Sequence, residues 1–390
     1  MPLFILRYPK SLIIFAQRFA PLYLTDMDYK KYNNIKLAVG ISETILSFIL
    51  IFIFLISGLS IRLEEYLSGY STNSYFVFVL FIAVTGIAFS VIFSPFNYYS
   101  GFHLEHKFNL SNQTFIKWVI EGLKSLLVTI VIGIPVLLVF YYVINTFGSN
   151  WWLPFAVFIF VLSVVLAKIV PVFILPLFYK VTPLENEEIK NRILELAKGT
   201  KLKVENVFRF DMSKNTKKAN AAFTGLGKTK KVLLGDTLLD NYSADEIETV
   251  LAHEFGHYVK KHIIKNIVIG TILSFATLYI ISVVYEKTLP FFGFSEINQI
   301  SALPLLGLWS MIISLILTPF SNFISRKYEY EADLYAVEST GKGKAFIGTL
   351  EKLTEQNLGD KEPHPFVEWF FYSHPSIKKR VANIKSLLKS

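Results

Sequence analysis

The sequence predicts a mainly α-helical, polytopic membrane protein that also carries a small α+β segment. Hydrophobic residues make up 53% of the 390 residues, and the mean hydropathy is +0.46, outside the range of ordinary soluble domains. Apolar stretches long enough to cross a bilayer recur along the chain. Between them lies a polar, lysine-rich segment at residues 179–262.

Six windows of about 20 apolar residues match a hydrocarbon core of roughly 30 Å. They are Leu37–Ile61, Tyr75–Phe96, Leu123–Phe147, Trp151–Phe178, Ile263–Tyr285 and Leu303–Phe323. The expected regions are an N-terminal segment (1–36), a membrane region of four spans (37–178), the α+β segment (179–262), a transmembrane hairpin (263–323) and a C-terminal segment (324–390).

The apolar stretch Leu3–Leu24 is not counted as a span because Arg7, Lys10 and Arg18 interrupt it. A charge near the centre of a span costs roughly 2.5–3.5 kcal/mol. The stretch is therefore expected to be an interfacial amphipathic helix. It also lacks the compact apolar core and the cleavage site of a removable signal peptide.

The distribution of positive charge predicts the orientation in the membrane. Of the lysines and arginines, 34 lie in residues 1–36, 97–118, 179–262 and 324–390, and only Arg62 and Lys287 lie in the opposite connections. By the positive-inside rule, both termini and the polar segments are expected in the cytoplasm. The same placement explains the formal charge of +9 without a nucleic-acid partner.

The chain contains no cysteine. Disulfides, thiolate metal sites and a cysteine nucleophile are therefore excluded. Any bound metal must be held by nitrogen and oxygen ligands.

The α+β segment contains three short apolar runs, in "VENVFRFDM", "ANAAFTGLG" and "KKVLLGDTLL", separated by Gly, Asn and Lys clusters. They predict strands in a small antiparallel sheet. A helix is expected to follow, running to His262. Ser243 with Glu246 three residues later forms a capping-box pattern at its start.

On that helix His253 and His257 are four residues apart, so their side chains share one face and can reach a single zinc ion. Glu254 lies beside the first histidine, in position to act as general base toward a bound water. The pattern arises by chance in roughly one chain in a hundred, so an ordinary amphipathic helix is the alternative. Ile263 stands where a metzincin would carry its third histidine, which excludes that class.

Catalytic zinc usually has three protein ligands, and the best source of the third is "SRKYEYEAD", after the last span. Glu329 and Asp333 are four residues apart there, so one can bind the metal while the other hydrogen-bonds a ligating histidine. Taken alone, the segment is better explained as a solvated charged face on which Arg326 and Lys327 form helix pairs. The intervening transmembrane hairpin returns the chain to the same side of the membrane, which favours the metal site.

From about Ile35 to Arg380 the sequence resembles the zinc-dependent CAAX prenyl proteases, membrane metallopeptidases that trim three residues from prenylated proteins. Matching stretches occur in the order of that family, and together they are far more specific than the two histidines alone. They are "SETILSF", "GFHLEHKFNLSNQT", "LPLFYKVTPLE", "NAAFTGLGKTKKVLLGDTLL", "HEFGH", "RKYEYEAD" and "FYSHPSIKKR".

The resemblance implies a set of roles for individual residues. It implies one zinc ion per chain held by His253, His257 and Glu329, with Glu254 as base and Asp333 behind a ligand. Asn220 and Ala221 would begin an edge strand that pairs with substrate backbone. His374 and Arg380 would help to hold the carbonyl oxygen in the transition state. Without the resemblance, Asn220 would be interpreted as a turn residue and His374 as a loop histidine.

The family fold would be a ring of membrane helices around a water-filled chamber. Eukaryotic members usually have seven spans, whereas six are expected here, and the C-terminus "SLLKS" has no evident ER-retrieval signal. A bacterial inner-membrane homologue is therefore expected, and the ER membrane is the expected location if the host is a eukaryote. The expected partners are the bilayer and a peptide or protein substrate, prenylated where the host prenylates proteins. A quality-control protease of broad specificity and a non-catalytic transporter or scaffold are the alternative functions.

Overall fold

The computed structural model describes residues 26–198, 200, 203–224 and 229–389. The expected interfacial helix at Leu3–Leu24 lies outside the described residues. The α-helices are α1 Asp26–Ile56, α2 Leu59–Ser68, α3 Ser74–Tyr98, α4 Leu104–Lys107, α5 Phe115–Phe147, α6 Trp152–Ile169, α7 Leu175–Phe178, α8 Glu187–Lys198, α9 Asp236–Asn241, α10 Ala244–Val259, α11 His262–Thr288, α12 Pro304–Thr340, α13 Gly343–Gln356, α14 Pro365–Phe371 and α15 Ile377–Leu387. The strands are β1 Val181–Pro183, β2 Lys203–Phe210, β3 Ala221–Thr224 and β4 Thr229–Gly235.

Six helical segments of the described chain are long and apolar enough to cross a membrane, which confirms the predicted number. They are Asp28–Ile56, Ser74–Lys107, Phe115–Asn150, Trp152–Phe178, His262–Phe292 and Ile300–Thr340. Short π-helical turns at Tyr99–His103 and Val170–Ile174 continue α3 and α6. The membrane helices pack on a core of large buried side chains that includes Phe78, Phe81 and Tyr285.

The last membrane helix is much longer than the sequence suggests. The apolar window ends at Phe323, but α12 continues without a break to Thr340 and contains 37 residues. At 1.5 Å per residue it is about 55 Å long, well beyond the roughly 30 Å of a hydrocarbon core. The final turns therefore carry Glu329 and Asp333 as a rigid extension of a membrane helix.

The four strands form one mixed sheet in the order β1-β2-β4-β3. β2 and β4 run parallel, whereas β1 pairs antiparallel with β2 and β3 pairs antiparallel with β4. The expectation of an all-antiparallel sheet was therefore wrong. The connection from β2 to β3 crosses to the far side of β4, which makes β3 an edge strand and leaves β4 beside β2.

That connection is anchored to the loop between the second and third membrane helices. The Lys217 N–H donates to the Leu110 carbonyl at 2.9 Å, and the Asn112 N–H donates to the Asn215 carbonyl at 3.1 Å. The Lys218 ammonium also lies 3.1 Å from the carboxylate of Glu105, at the end of the second span. The membrane region thereby fixes the chain just before the edge strand.

Candidate active site

Helix α10 presents three of the expected site residues, and its start forms as predicted. The Ser243 hydroxyl accepts from the Glu246 N–H, and the Glu246 carboxylate accepts from the Ser243 N–H at 2.8 Å. This capping box satisfies two otherwise free N–H groups of the first turn. The buried side of α10 includes Leu251 and Phe255, which pack beneath the sheet. This packing fixes the orientation of the helix and therefore the directions of His253 and His257.

A glycine allows α10 to lie directly against α12. A Cβ atom at Gly256 would lie 2.9 Å from the Cα of Ala332 and 3.1 Å from its carbonyl oxygen. Only a residue without a side chain fits such an approach. The contact brings the two histidines of α10 to Glu329, which is buried on the facing surface of α12.

The two histidines and Glu329 form a compact group of three metal-ligand atoms. Nε2 of His253 and Nε2 of His257 are 3.2 Å apart. Glu329 Oε2 lies 3.5 Å from the first ring, and Oε1 lies 3.3 Å from the second. These side chains come from two helices that a transmembrane hairpin separates in the sequence.

The donor set fits a tetrahedral zinc ion. Bonds of about 2.0–2.1 Å at tetrahedral angles place neighbouring ligand atoms about 3.3 Å apart. The two ring nitrogens are 3.2 Å apart, and each has one oxygen of Glu329 at 3.5 Å or 3.3 Å. Among the described residues, Oε2 of Glu329 is buried without a hydrogen bond, although His253 and Arg380 lie within ion-pair distance. A buried carboxylate oxygen without a hydrogen bond is costly, and a cation bound to this group would offset that cost.

A second carboxylate orients the first histidine. Asp333, fully buried on the next turn of α12, places Oδ1 2.9 Å from Nδ1 of His253. The Nε of Arg380 in turn donates to Oδ2 of Asp333 at 2.9 Å. Burial alone lowers the pKa of His253, but the hydrogen bond to Asp333 and the nearby carboxylate of Glu329 raise it to about 9. Metal and proton therefore compete for this ring.

The second histidine is oriented by a pair that sequence reasoning missed. Nδ1 of His262 lies 3.0 Å from Nδ1 of His257, and its Nε2 lies 2.9 Å from Oε2 of Glu331. His262 is 1% exposed and begins the next membrane helix. Glu331 reaches the site through this ring. Both depend on a turn in which Lys261 has φ 58°; α10 ends at Val259, and α11 starts afresh at His262.

The remaining predicted residues line one cavity of about 190 Å³ beside the metal-ligand group. Asn220, Ala221, Glu254, His374 and Arg380 all face it. Nε2 of His374 lies 3.4 Å from Oε1 of Glu329, and its side chain is 63% exposed. Every residue that the sequence predicted for the site therefore borders this cavity, except His257 and Asp333. His257 contacts the lining residue Glu329, and Asp333 contacts the lining residue His253.

Comparison with known families decides the class of protein. Residues 183–388 match the model of peptidase family M48, and residues 25–180 match the model described as the CAAX prenyl protease N-terminal domain with five membrane helices. The chain belongs to peptidase family M48. This confirms the resemblance predicted from the sequence, and it identifies the protein as a metalloendopeptidase that hydrolyses peptide bonds.

Individual relatives extend the comparison over most of this M48 peptidase. It is 31% identical over 363 residues to the uncharacterized metalloprotease YhfN of Bacillus subtilis, covering 90% of this chain and 83% of that protein. It is 34% identical over 306 residues to CAAX prenyl protease 1 of Saccharomyces cerevisiae, covering 74% and 67%. The crystal structure of S. mikatae Ste24p matches with a TM-score of 0.80 at 26% identity, covering 92% of this chain and 87% of that one.

Proposed function

We propose that this M48 peptidase is a zinc endopeptidase of the CAAX prenyl protease type, which cleaves prenylated or other membrane-associated peptides. The observation that carries the proposal is the group of three ligand atoms from His253, His257 and Glu329, all within 4.8 Å of one another. Glu254 and an edge strand face the same cavity. One zinc ion per chain is expected.

The chain supplies the remaining chemistry. When bound, zinc polarises the peptide carbonyl and acidifies water. The Glu254 carboxylate accepts a proton from the attacking water and delivers it to the nitrogen of the leaving amine. Asp333 fixes His253 by accepting from Nδ1, which leaves Nε2 directed at the metal position.

His374 and Arg380 are proposed as donors to the oxygen that becomes negative in the transition state. The Nε and Nη2 of Arg380 already donate hydrogen bonds to Asp333, while its Nη1 lies 3.4 Å from Oε2 of Glu329. The Nδ1 of His374 is hydrogen-bonded to the hydroxyl of Ser373, and its Nε2 lies 3.4 Å from Oε1 of Glu329. His374 is the more exposed of the two and is the better placed to contact a substrate directly.

The substrate backbone is proposed to pair with β3. This strand lies at the edge of the sheet, and β-augmentation uses the free N–H and C=O groups of such an edge. Its first residue, Ala221, borders the cavity with Asn220. These elements are proposed to lie on the cytoplasmic side of the membrane because Lys and Arg are in strong excess in the polar segments. The membrane itself is proposed to be a bacterial inner membrane.

The direct test is Glu254→Gln. We expect the purified variant to keep about one zinc per chain and to lose cleavage of a reporter peptide by 10²-fold or more. Glu338→Gln is the matched control, because Glu338 is exposed on α12. Full activity of Glu254→Gln would remove Glu254 from the mechanism.

The substrate class is tested by two peptides that differ only in a prenyl group on one cysteine. Preferential cleavage of the prenylated peptide in detergent or lipid nanodiscs supports the CAAX type. Equal cleavage of both peptides, together with cleavage of unfolded membrane proteins, would favour a quality-control protease instead.

A further inference from the structure

The backbone groups of β3 alternate between the sheet and the open edge. The Gly235 N–H donates to the Asn220 carbonyl at 3.0 Å, and Ala221 lies opposite Leu234. In an antiparallel pair, hydrogen-bonded positions alternate with non-bonded ones. The N–H and C=O of Ala221 and Phe223 therefore point away from β4, toward the side on which a substrate strand would add.

Two residues before Ala221, the outward-facing N–H and C=O groups of Ala219 are already hydrogen-bonded to a side chain. The Ala219 N–H donates to Oδ1 of Asn357 at 2.9 Å, and Nδ2 of Asn357 donates to the Ala219 carbonyl at 3.2 Å. A carboxamide that accepts and donates in this way reproduces the pairing of a strand residue. Asn357 is itself held in place, since its N–H donates to the Leu353 carbonyl at the end of α13.

The next outward-facing position is also closed. The Lys217 N–H donates to the Leu110 carbonyl at 2.9 Å, and the Lys217 carbonyl accepts from Nε2 of Gln356 at 2.7 Å. Within the part of the chain that the structure describes, the edge open for pairing thus begins at Ala221. Removal of the Asn357 side chain would open one further pair of groups, at Ala219, and no more.

Asn357 lies in the cavity that contains the catalytic group. The same space of about 190 Å³ is bordered by Asn357, Ala219, Glu254 and Glu329. A peptide that pairs with Ala221 next to Glu254 would therefore meet the Asn357 amide within about two residues along the edge.

We propose that Asn357 is a positioning residue that ends the substrate-pairing edge at Ala219 and so limits how many residues follow the scissile bond. The inference rests on the proposed pairing of substrate with β3. Antiparallel pairing is the more stable arrangement per residue, and it places the C-terminal side of the substrate toward Ala219. The residue thereby selects peptides that are cleaved near their C-terminus.

The test uses the full-length zinc-loaded protein and a series of peptides that are identical up to the scissile bond and carry from two to six residues after it. The wild type is expected to show a sharp drop in kcat/KM beyond a limiting length. Asn357→Ala should move that limit outward by two residues. For the first peptides beyond the original limit, the ratio of kcat/KM to that of the short peptide should rise about tenfold, as two added backbone hydrogen bonds would give.

Gln356→Ala is the matched control, because it disturbs the adjacent position while Ala219 stays capped; its length limit should equal that of the wild type. Asn357→Ser shortens the side chain so that it no longer pairs with both the N–H and the carbonyl of Ala219, while a polar residue stays at the end of α13. It should move the limit in the same direction as Asn357→Ala, and it decides the matter if the alanine variant does not fold.

Peptide affinity measured in the Glu254→Gln background separates this inference from the proposed function. There, Asn357→Ala should strengthen binding of the longer peptides and leave the shortest unchanged. An unchanged length profile in both binding and cleavage would overturn the role of Asn357, even if the short peptides are cleaved. Absence of cleavage by the wild type would count against the proposed function, and the binding profile would still decide the role of Asn357.

Discussion

Asp333 and Glu329 lie on opposite sides of the His253 ring: Oδ1 of Asp333 is 2.9 Å from Nδ1, and Oε2 of Glu329 is 3.5 Å from Nε2. The carboxylate of Asp333 is fully buried and is itself held by Arg380. A hydrogen bond to one ring nitrogen fixes the tautomer and strengthens the other nitrogen as a ligand. A chain of hydrogen bonds therefore runs from Arg380 through Asp333 to His253.

Asp333→Asn should weaken this support while it preserves the shape of the side chain. We expect a loss of roughly 10- to 100-fold in zinc affinity, with a comparable loss of peptidase activity. Competition with a metal chelator measures the affinity, and circular dichroism checks the helix content. Glu338→Gln on the exposed face of the same helix should bind zinc like the wild type. Equal affinities of Asp333→Asn and the wild type would contradict the role.

The pair behind His257 leads to a second prediction. If Nε2 of His262 donates to Glu331, its Nδ1 accepts from His257 and leaves Nε2 of His257 free for the metal. His262→Phe keeps a ring to stack on Tyr328, which lies 4.1 Å away between ring centroids, but removes the acceptor. We expect about tenfold weaker zinc binding.

Glu331→Gln, whose amide oxygen still accepts from His262, should lose less than His262→Phe. The double variant should be no worse than His262→Phe alone, because both residues act through one chain of hydrogen bonds. Additive losses in zinc affinity would mean that the two side chains act independently.

Much of the site was predictable because local patterns encode it. The capping pattern of Ser243 and Glu246 sets the start of α10, and the spacing of His253 and His257 puts both on one helix face. The hairpin topology narrowed the third ligand to Glu329 or Asp333, and the family resemblance chose between them. The six spans follow from apolar length alone.

The missed features depend on contacts without a local pattern. His262 joins the site only because Lys261 adopts a left-handed turn, a conformation that lysine rarely takes. Asn357 meets Ala219 across 138 residues of sequence. The parallel pairing of β2 with β4 was missed because the crossover that sets the strand order is held by contacts with the distant loop at Leu110.

The close packing of α10 on α12 predicts that Gly256→Ala damages the site from a distance. The added methyl would meet the backbone of Ala332 at 2.9 Å, so the helices must separate by a few tenths of an ångström or more. Overpacking of this kind costs about 1–3 kcal/mol, and it moves both histidines relative to Glu329. We expect a lower Tm together with weaker zinc binding. Gly270→Ala, on α11, is the control, because a Cβ there meets nothing within 4 Å.

Metal should also stabilise the fold itself. His253, His257 and Glu329 join α10 to α12 across a transmembrane hairpin, and the unfolded chain has no such preformed group. A ligand that binds only the folded state stabilises it by about 4 kcal/mol at a free concentration one thousand times its Kd. Zinc added to chelator-treated protein should therefore raise Tm in a concentration-dependent manner.

His257→Ala should abolish this response, since it leaves only two of the three ligands, one on each helix. The Glu254→Gln protein should retain it, because Glu254 is not among the three ligand residues. A rise of equal size in His257→Ala would place the stabilising zinc elsewhere in the chain.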